Sequence, residues 1–359
     1  MVCCGEPGPC GRQAEAQAPL WQNAQRGSRE AEGCPARATA RLPVAYERQT
    51  VGQFLTRWLE DSAKPCIRPS TYRSYEQMVR VHLIPGLGRH PLSKLTPQHV
   101  QEYLNAKLAS GLAAHTVRYQ HAILRRVLGQ AERWKLVPHN VAKLVTPPRV
   151  ERPDIPILTL EQARQLLQAA KGERLEALFT VALTLGLLQG EALGLCWQDI
   201  DLETGELRVR VALQRVNGKL QLVEPKTLRG RRALPLPPSV VLALREHRRN
   251  QLEERLAAGP EWQDSGLVFT TTIGTPLDAT NVVRRFRRVL TGAGLARMRY
   301  HDLRHACASL LLAQGVELRT IMEVLGHSQL STTAEIYVHV LPALQRDAAN
   351  RMEALLTGS

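Results

Sequence analysis

From Thr50 onward, apolar residues recur at three- and four-residue intervals. Val51, Phe54, Leu55, Trp58 and Leu59 fall on one face of a helix. A second helix, with Ser70 as its expected cap, turns Tyr72, Tyr75, Met78, Val79 and Leu83 inward and is expected to end at Pro85-Gly86 and Gly88. Thr96-Pro97 opens a third by N-cap and first-turn proline, and it runs to about Ser110, before Gly111. A fourth, from about Ala114 to Trp134, spaces Val117, Ile123, Leu124, Val127, Leu128 and Ala131 for burial. Four amphipathic helices over residues 50–141 predict a compact helical domain.

The pattern then breaks. Residues 142–157 hold four prolines, which forbid helix continuation and extend the residues before them, so this stretch reads as a linker. Thr159 and Gln162 have capping-box spacing and open a second domain, 158–357. Helices are expected near 160–170, 175–187 and 190–195. Alternation over Leu207-Arg208-Val209-Arg210-Val211, then Asn217-Gly218, then Leu220-Gln221-Leu222 predicts a hairpin. A third strand, Ala233-Leu234-Pro235-Leu236, follows a basic turn, and the chain from Ser239 is mostly helical. The fold class expected is mainly α with a small antiparallel β-sheet: a helical domain followed by an α+β domain. Residues 1–49, rich in Gly, Pro, Ala, Gln and Arg, show no period and read as a disordered leader.

The 359 residues carry 44% apolar and 22% charged side chains, which excludes a wholly disordered, collagenous or disulfide-scaffold protein. The longest nearly apolar run, Ala177 to Leu188, is too short for a membrane span and reads as a buried helix. Lys and Arg number 47 against 33 Asp and Glu, a net charge of +14. Six arginines and five glutamates leave only +1 on residues 1–49, so +13 sits on the part expected to fold. Such an excess suits a polyanion, because cations that neutralise phosphates release counterions. Arg118, Arg125 and Arg126 on the fourth helix then read as a DNA-facing set. The seven cysteines are scattered, and Cys3, Cys4 and Cys10 lack paired metal-ligand spacing, so no metal is expected. With no secretory leader recognisable, the expected location is the cytoplasm.

Candidate chemistry gathers toward the C-terminus. His301-Asp302-Leu303-Arg304 opens an apolar helix, and residues three apart share a helix face. A His and an Arg so placed can reach one phosphate, as proton-transfer group and bidentate donor. Leu325-Gly326-His327 is a glycine-terminated helix ending in a second His, and Tyr337 comes ten residues later. Upstream, Lys226 follows the second hairpin strand, with Arg229, Arg231 and Arg232 in a basic turn expected to bind DNA. Taken singly, each has a plain structural explanation.

Together these segments resemble the tyrosine recombinase (phage integrase) family over about residues 50–357, most specifically from His301 to Tyr337. The resemblance implies a core-binding, SAM-like helical domain and a tyrosine recombinase catalytic domain. It implies site-specific DNA recombination or integration by strand breaking and rejoining, with Tyr337 forming a 3′-phosphotyrosyl link. His301 and His327 would assist proton movement and bind nonbridging oxygens, Lys226 would protonate the leaving 5′ oxygen, and Arg304 would stabilise the phosphorane. Double-stranded DNA is the implied partner, a homotetramer on paired sites the implied assembly, a mobile element the implied context, and no cofactor is implied.

One departure stands out. The family's first box places an Arg within Gly-Leu-Arg-x-Gly-Glu, whereas here the stretch is Gly186-Leu187-Leu188-Gln189-Gly190-Glu191. Leu188 has neither donor nor charge, so chemistry is expected to be impaired, and a catalytically inactive DNA-binding protein of the same fold is the alternative. Glu191 reads either as a buttress to a histidine or as a surface acid. The apolar spacing of the tail, 341–357, suits packing on its own domain or docking on a neighbouring subunit.

Overall fold

The computed structural model describes residues 49–150, 158–216, 218–225 and 228–326, with isolated positions 349, 352, 353, 356 and 357 beyond them. Residues 1–48 of the leader, residues 151–157 of the proline-rich stretch, Lys226, His327, Tyr337 and nearly all of the tail therefore lie outside the described residues. So do Cys3, Cys4, Cys10 and Cys34, while Cys66, Cys196 and Cys307 are free thiols.

The first unit is helical: α1 (Val51–Trp58), α2 (Pro69–Met78), α3 (Ile84–Leu87), α4 (Pro97–Ala109) and α5 (Ala114–Arg133). Thr50 caps α1, its Oγ1 accepting from the Gln53 N–H while the Gln53 side chain accepts from the Thr50 N–H. Thr96 caps α4, with Pro97 in the first turn. Two local readings are corrected. Pro69, not Ser70, sets the start of α2, with Arg68 in the extended cap position and no side-chain cap. Pro85 does not end the helical run. A wide turn at Val79–Leu83, closed by Ile84 N–H to Val79 O, opens the hydrogen-bond ladder just where a proline ring would strike the preceding turn, and the helix continues to Leu87.

The predicted inward faces pack as one cluster. Phe54, Leu55, Val79, Leu83, Leu104, Leu124 and Val127 are fully buried, and Tyr103 donates to the buried Gln120 Oε1 at 2.6 Å. Each such side chain contributes about 1.5–3 kcal/mol of burial.

The second unit carries α6 (Leu160–Ala170), α7 (Glu176–Leu185), α8 (Gln189–Leu193), β1 (Ile200–Asp201), β2 (Glu206–Val209), β3 (Ala212–Val216), β4 (Lys219–Val223), β5 (Arg232–Pro235), α9 (Pro238–Ala258), α10 (Ala279–Gly292), α11 (Asp302–Ala313) and α12 (Leu318–Leu325). The Thr159–Gln162 capping box opens α6. The strands divide differently from the expectation. β3 and β4 form a two-residue hairpin, Val216 opposite Lys219. The earlier alternating run instead ends as β2 at Val209 and pairs with β1 and β5 in a separate antiparallel sheet. The alternation could not say which strand it would pair with, because that is decided by a partner more than twenty residues away.

A continuous core of Leu166, Leu178, Phe179, Val240, Leu244, Val268, Phe269, Phe286, Tyr300 and Leu303 binds α6, α7, α9, α10 and α11 together. A smaller cluster, Cys307, Ala308, Leu312, Ile321 and Leu325, joins α11 to α12. The two units touch where Arg68, at the start of α2, donates to the backbone carbonyls of Glu224 (3.3 Å) and Pro225 (3.0 Å) after β4. No helix among the described residues is long and apolar enough to cross a membrane.

Candidate active site

Arg304 lies one turn into α11, where the apolar helix carries it inward to 4% exposure. Its guanidinium donates to the Gly186 carbonyl (Nη1, 2.8 Å) and to the Leu325 carbonyl (Nη2, 2.6 Å). Two segments remote in sequence therefore meet on one side chain: the end of α7, where the stretch Gly186 to Glu191 begins, and the end of α12, immediately before Gly326-His327. Both carbonyls are freed by glycines. Gly186 has φ +61° and Gly326 φ +71°, ending α7 and α12 in the left-handed conformation. A Cβ on Gly186 would also lie 2.4 Å from Leu325 Cδ2. Burial lowers the Arg304 pKa to about 10, with Glu191 opposing and Arg232 adding to the shift. The group stays cationic at neutral pH.

His301 precedes α11 at its cap. It retains exposed surface, yet protein atoms crowd its ring enough that desolvation lowers its pKa, and His305, Arg304 and Arg299 push the same way. The His301 and His305 rings sit edge-to-face with centroids 5.0 Å apart. The helix start is locked by Asp302, 1% exposed, which accepts the Arg299 N–H at 2.7 Å and binds the Arg299 guanidinium through Nη2 (2.7 Å) and Nε (3.1 Å). A carboxylate in the first turn also suits the helix dipole.

Leu188 occupies the extended cap position of the short α8, with its side chain 37% exposed. Its N–H donates to Glu191 Oε2 at 3.1 Å. Glu191 is neither a surface acid nor, among the described residues, a partner of a histidine. It is 5% exposed and pairs bidentately with Arg232, Nη1 to Oε1 at 3.2 Å and Nη2 to Oε2 at 3.0 Å. Arg232 also donates through Nε to the Val324 carbonyl at 2.7 Å. Its side chain is 7% exposed, so it is not part of a solvated basic turn.

The strand pairing accounts for that placement. On β5, Arg232 shares parity with the buried Leu234, and their cross-strand partners Val209 and Leu207 are both buried. Directly opposed residues of an antiparallel pair face the same side, so Arg232 must point inward.

The remaining basic residues stay at the surface. Arg118 and Arg125 are exposed on α5. Arg126 donates to Tyr75 Oη at 3.2 Å and lies over that ring. Arg231 pairs with Glu224, and Arg229 lines a cavity of about 230 Å³ with Arg232, Arg319 and Gly326. A further basic cleft escaped the sequence reading. Arg284, Arg285 and Arg288 on α10, with Asn281 and Thr271, line a cavity of about 390 Å³. The signal was the run Arg284-Arg285-Phe286-Arg287-Arg288, in which only Phe286 is buried.

Comparison with known proteins agrees with this architecture. The phage integrase family profile matches residues 156–343, and the profile of the phage integrase N-terminal SAM-like domain matches residues 50–108. A protein named tyrosine recombinase XerC-like from Caldanaerobacter subterraneus subsp. tengcongensis is 33% identical over 88% of this chain and 85% of its own length. An integrase from Streptomyces ambofaciens is 34% identical over 86% and 81%. Among solved structures, the Tn1549 transposon integrase in complex with a circular intermediate DNA superposes with a TM-score of 0.72 at 22% identity, covering 85% of this chain and 99% of that one. A lambda integrase tetramer bound to a Holliday junction superposes at 0.62 and 19% identity, covering 81% and 79%. The two profiles fall on the second unit and on the helical first unit, and the chain belongs to the phage integrase family, the tyrosine recombinases.

Proposed function

We propose that the chain carries out site-specific DNA recombination by strand breaking and rejoining on double-stranded DNA. The observation that supports this best is the buried, cationic Arg304, which donates to the backbone carbonyls of Gly186 and Leu325. Such a guanidinium is fixed in place by main-chain acceptors, which suits a donor to a developing phosphorane. In this reading the Tyr337 oxygen attacks the scissile phosphorus, the P–O5′ bond breaks, and a 3′-phosphotyrosyl ester and a 5′-hydroxyl result. The phenolic proton is taken up with the help of His301 and His327, since a phenol of pKa about 10 needs an acceptor or a strong positive field. Lys226 donates the proton that the 5′ oxygen gains. One phosphoester replaces another, so the step is near isoenergetic and reversible. Assembly as a homotetramer on paired sites, in the cytoplasm, completes the reading, with exposed Arg118, Arg125, Arg126, Arg229 and Arg231 contacting the DNA backbone.

A second reading draws on Leu188, whose exposed side chain offers no donor where the family carries an arginine. In it the fold and DNA binding persist and the chemistry is lost. Trapping on a nicked suicide duplex separates the two. A covalent adduct that disappears in Tyr337→Phe supports recombination. Specific DNA binding with no adduct at any exposure supports the inactive reading.

A further inference from the structure

We infer that Arg68 is a positioning residue for leaving-group protonation: from the helical first unit it anchors the main chain directly before Lys226. This rests on the recombination reading above, in which Lys226 supplies the proton that the 5′ oxygen gains.

Arg68 stands at the cap of α2 in extended conformation, φ −63° and ψ 147°, as a residue followed by proline must. The backbone of the anchoring arm is therefore preset. Its guanidinium reaches into the second unit and donates to two successive carbonyls, Glu224 (Nη1, 3.3 Å) and Pro225 (Nη2, 3.0 Å). The arm springs from a helix that itself lies beside β3 of the hairpin.

The anchored point is the root of a short loop. A Cβ on Gly230 would lie 2.6 Å from Pro225 Cβ, so the chain leaves Pro225 and returns to touch it at Gly230. Glu224 and Arg231 close the same neck with an ion pair. Only residues 226–229 lie between, and Lys226 is the first of them in sequence. Successive Cα atoms are about 3.8 Å apart, so fixing Pro225 restricts where Lys226 can begin. On the other side of the neck, a Cβ on Gly326 would lie 2.9 Å from the Arg229 carbonyl oxygen, and Gly326 directly precedes His327. The neck is thus set between Arg68 of the first unit and the end of α12 of the second. Protonation of the 5′ oxygen then depends on the helical unit being docked.

The test uses the full chain in two backgrounds, native and Leu188→Arg. In each, Arg68→Ala, Lys226→Ala and the double variant are compared with the parent on two nicked suicide duplexes. One carries the ordinary 5′ oxygen at the scissile phosphate; in the other, sulfur replaces that oxygen. With oxygen, the P–O5′ bond breaks and the 5′ oxygen takes its proton from the Lys226 ammonium. With sulfur, the P–S bond breaks and a thiolate leaves without that proton, since a thiol has a pKa of about 8.5. The single-turnover rate of adduct formation at saturating duplex is read, with DNA affinity and melting temperature alongside. General acid catalysis is worth roughly 100- to 10,000-fold, and a displaced acid forfeits part of it. Arg68→Ala should slow the oxygen duplex roughly tenfold or more and leave the sulfur duplex within about twofold of the parent. Lys226→Ala should show the same selectivity more strongly. The double variant should be no slower than Lys226→Ala, because the anchor then has nothing left to position.

Equal slowing on both duplexes would make Arg68 a DNA contact or a structural residue and overturn the inference. An unchanged oxygen rate, or losses that add in the double variant, would overturn it equally. Two results, both visible before any Arg68 variant is measured, strike the reading beneath it and take the inference with them. Equal slowing of both duplexes by Lys226→Ala would remove Lys226 as the proton donor, and absence of adduct in both parents on both duplexes would fell recombination itself.

Discussion

Replacing Leu188 by arginine tests the first-box departure directly. The leucine side chain is 37% exposed at the cap of a five-residue helix, so its loss empties no core and folding stability should change by no more than about 0.5 kcal/mol. A guanidinium there stands two residues beyond Gly186, whose carbonyl accepts from Arg304. One preorganised donor to a phosphoryl transition state is worth about 3–4 kcal/mol, two to three decades in rate. Part of that is offset. Both oxygens of Glu191 are already taken by Arg232, the new charge sits at a helix N-terminus at a cost of about 0.3–1 kcal/mol, and Arg304 and Arg232 repel it. The net expectation is at least a tenfold rise in adduct yield at early times. The assay is a nicked suicide duplex with denaturing gel separation of protein–DNA adduct, native and Leu188→Arg side by side. Equal adduct from a folded, DNA-binding Leu188→Arg protein would show that the arginine of the first box does not belong at this position.

Three more outcomes are expected. His247 is buried, its Nε2–H donating to the Val268 carbonyl at 2.8 Å, and burial holds its pKa below the ordinary 6.5. The unfolded chain therefore takes up the proton first, so stability is full above about pH 6.5 and falls as pH drops below it; melting curves from pH 7.5 to 5 should show this slope, and His247→Gln should flatten it. Phe286→Ala removes a fully buried ring packed on Phe179 and Tyr300 and should cost about 3–5 kcal/mol in urea unfolding. Arg118→Ala and Arg125→Ala leave the fold intact and should each reduce the slope of log affinity against log salt by about one, with equal slopes counting against a phosphate-facing α5.

Helices, their caps and their buried faces could be read from the chain because they are set by neighbours three or four residues away. Every residue assigned to the inner face of the fourth helix is buried on α5, and Thr159 and Gln162 cap each other as their spacing required. Ser70 and Pro85 misled because a local preference was read without its context: a proline one residue earlier, and a widened turn six residues before. The strand partition was out of reach, since Val209 and Arg232 are paired by tertiary structure. The same holds for the candidate site. His301 and Arg304 could be named from one turn of helix. That Arg304 would grip the Gly186 and Leu325 carbonyls, and that Glu191 would find Arg232 forty-one residues on, depended on α7, β5 and α12 converging.

Arg304 and Arg232 hold the main-chain oxygens of Gly186, Val324 and Leu325. Main-chain oxygens are present whatever residue mutation installs, provided the two glycine turns survive. The scaffold is therefore insulated from drift at Leu188, whose own tie to it is a peptide N–H. Arginine and leucine codons can differ by a single base, so a lineage with this construction can silence or restore its first-box charge in one step while the surrounding architecture stands unchanged.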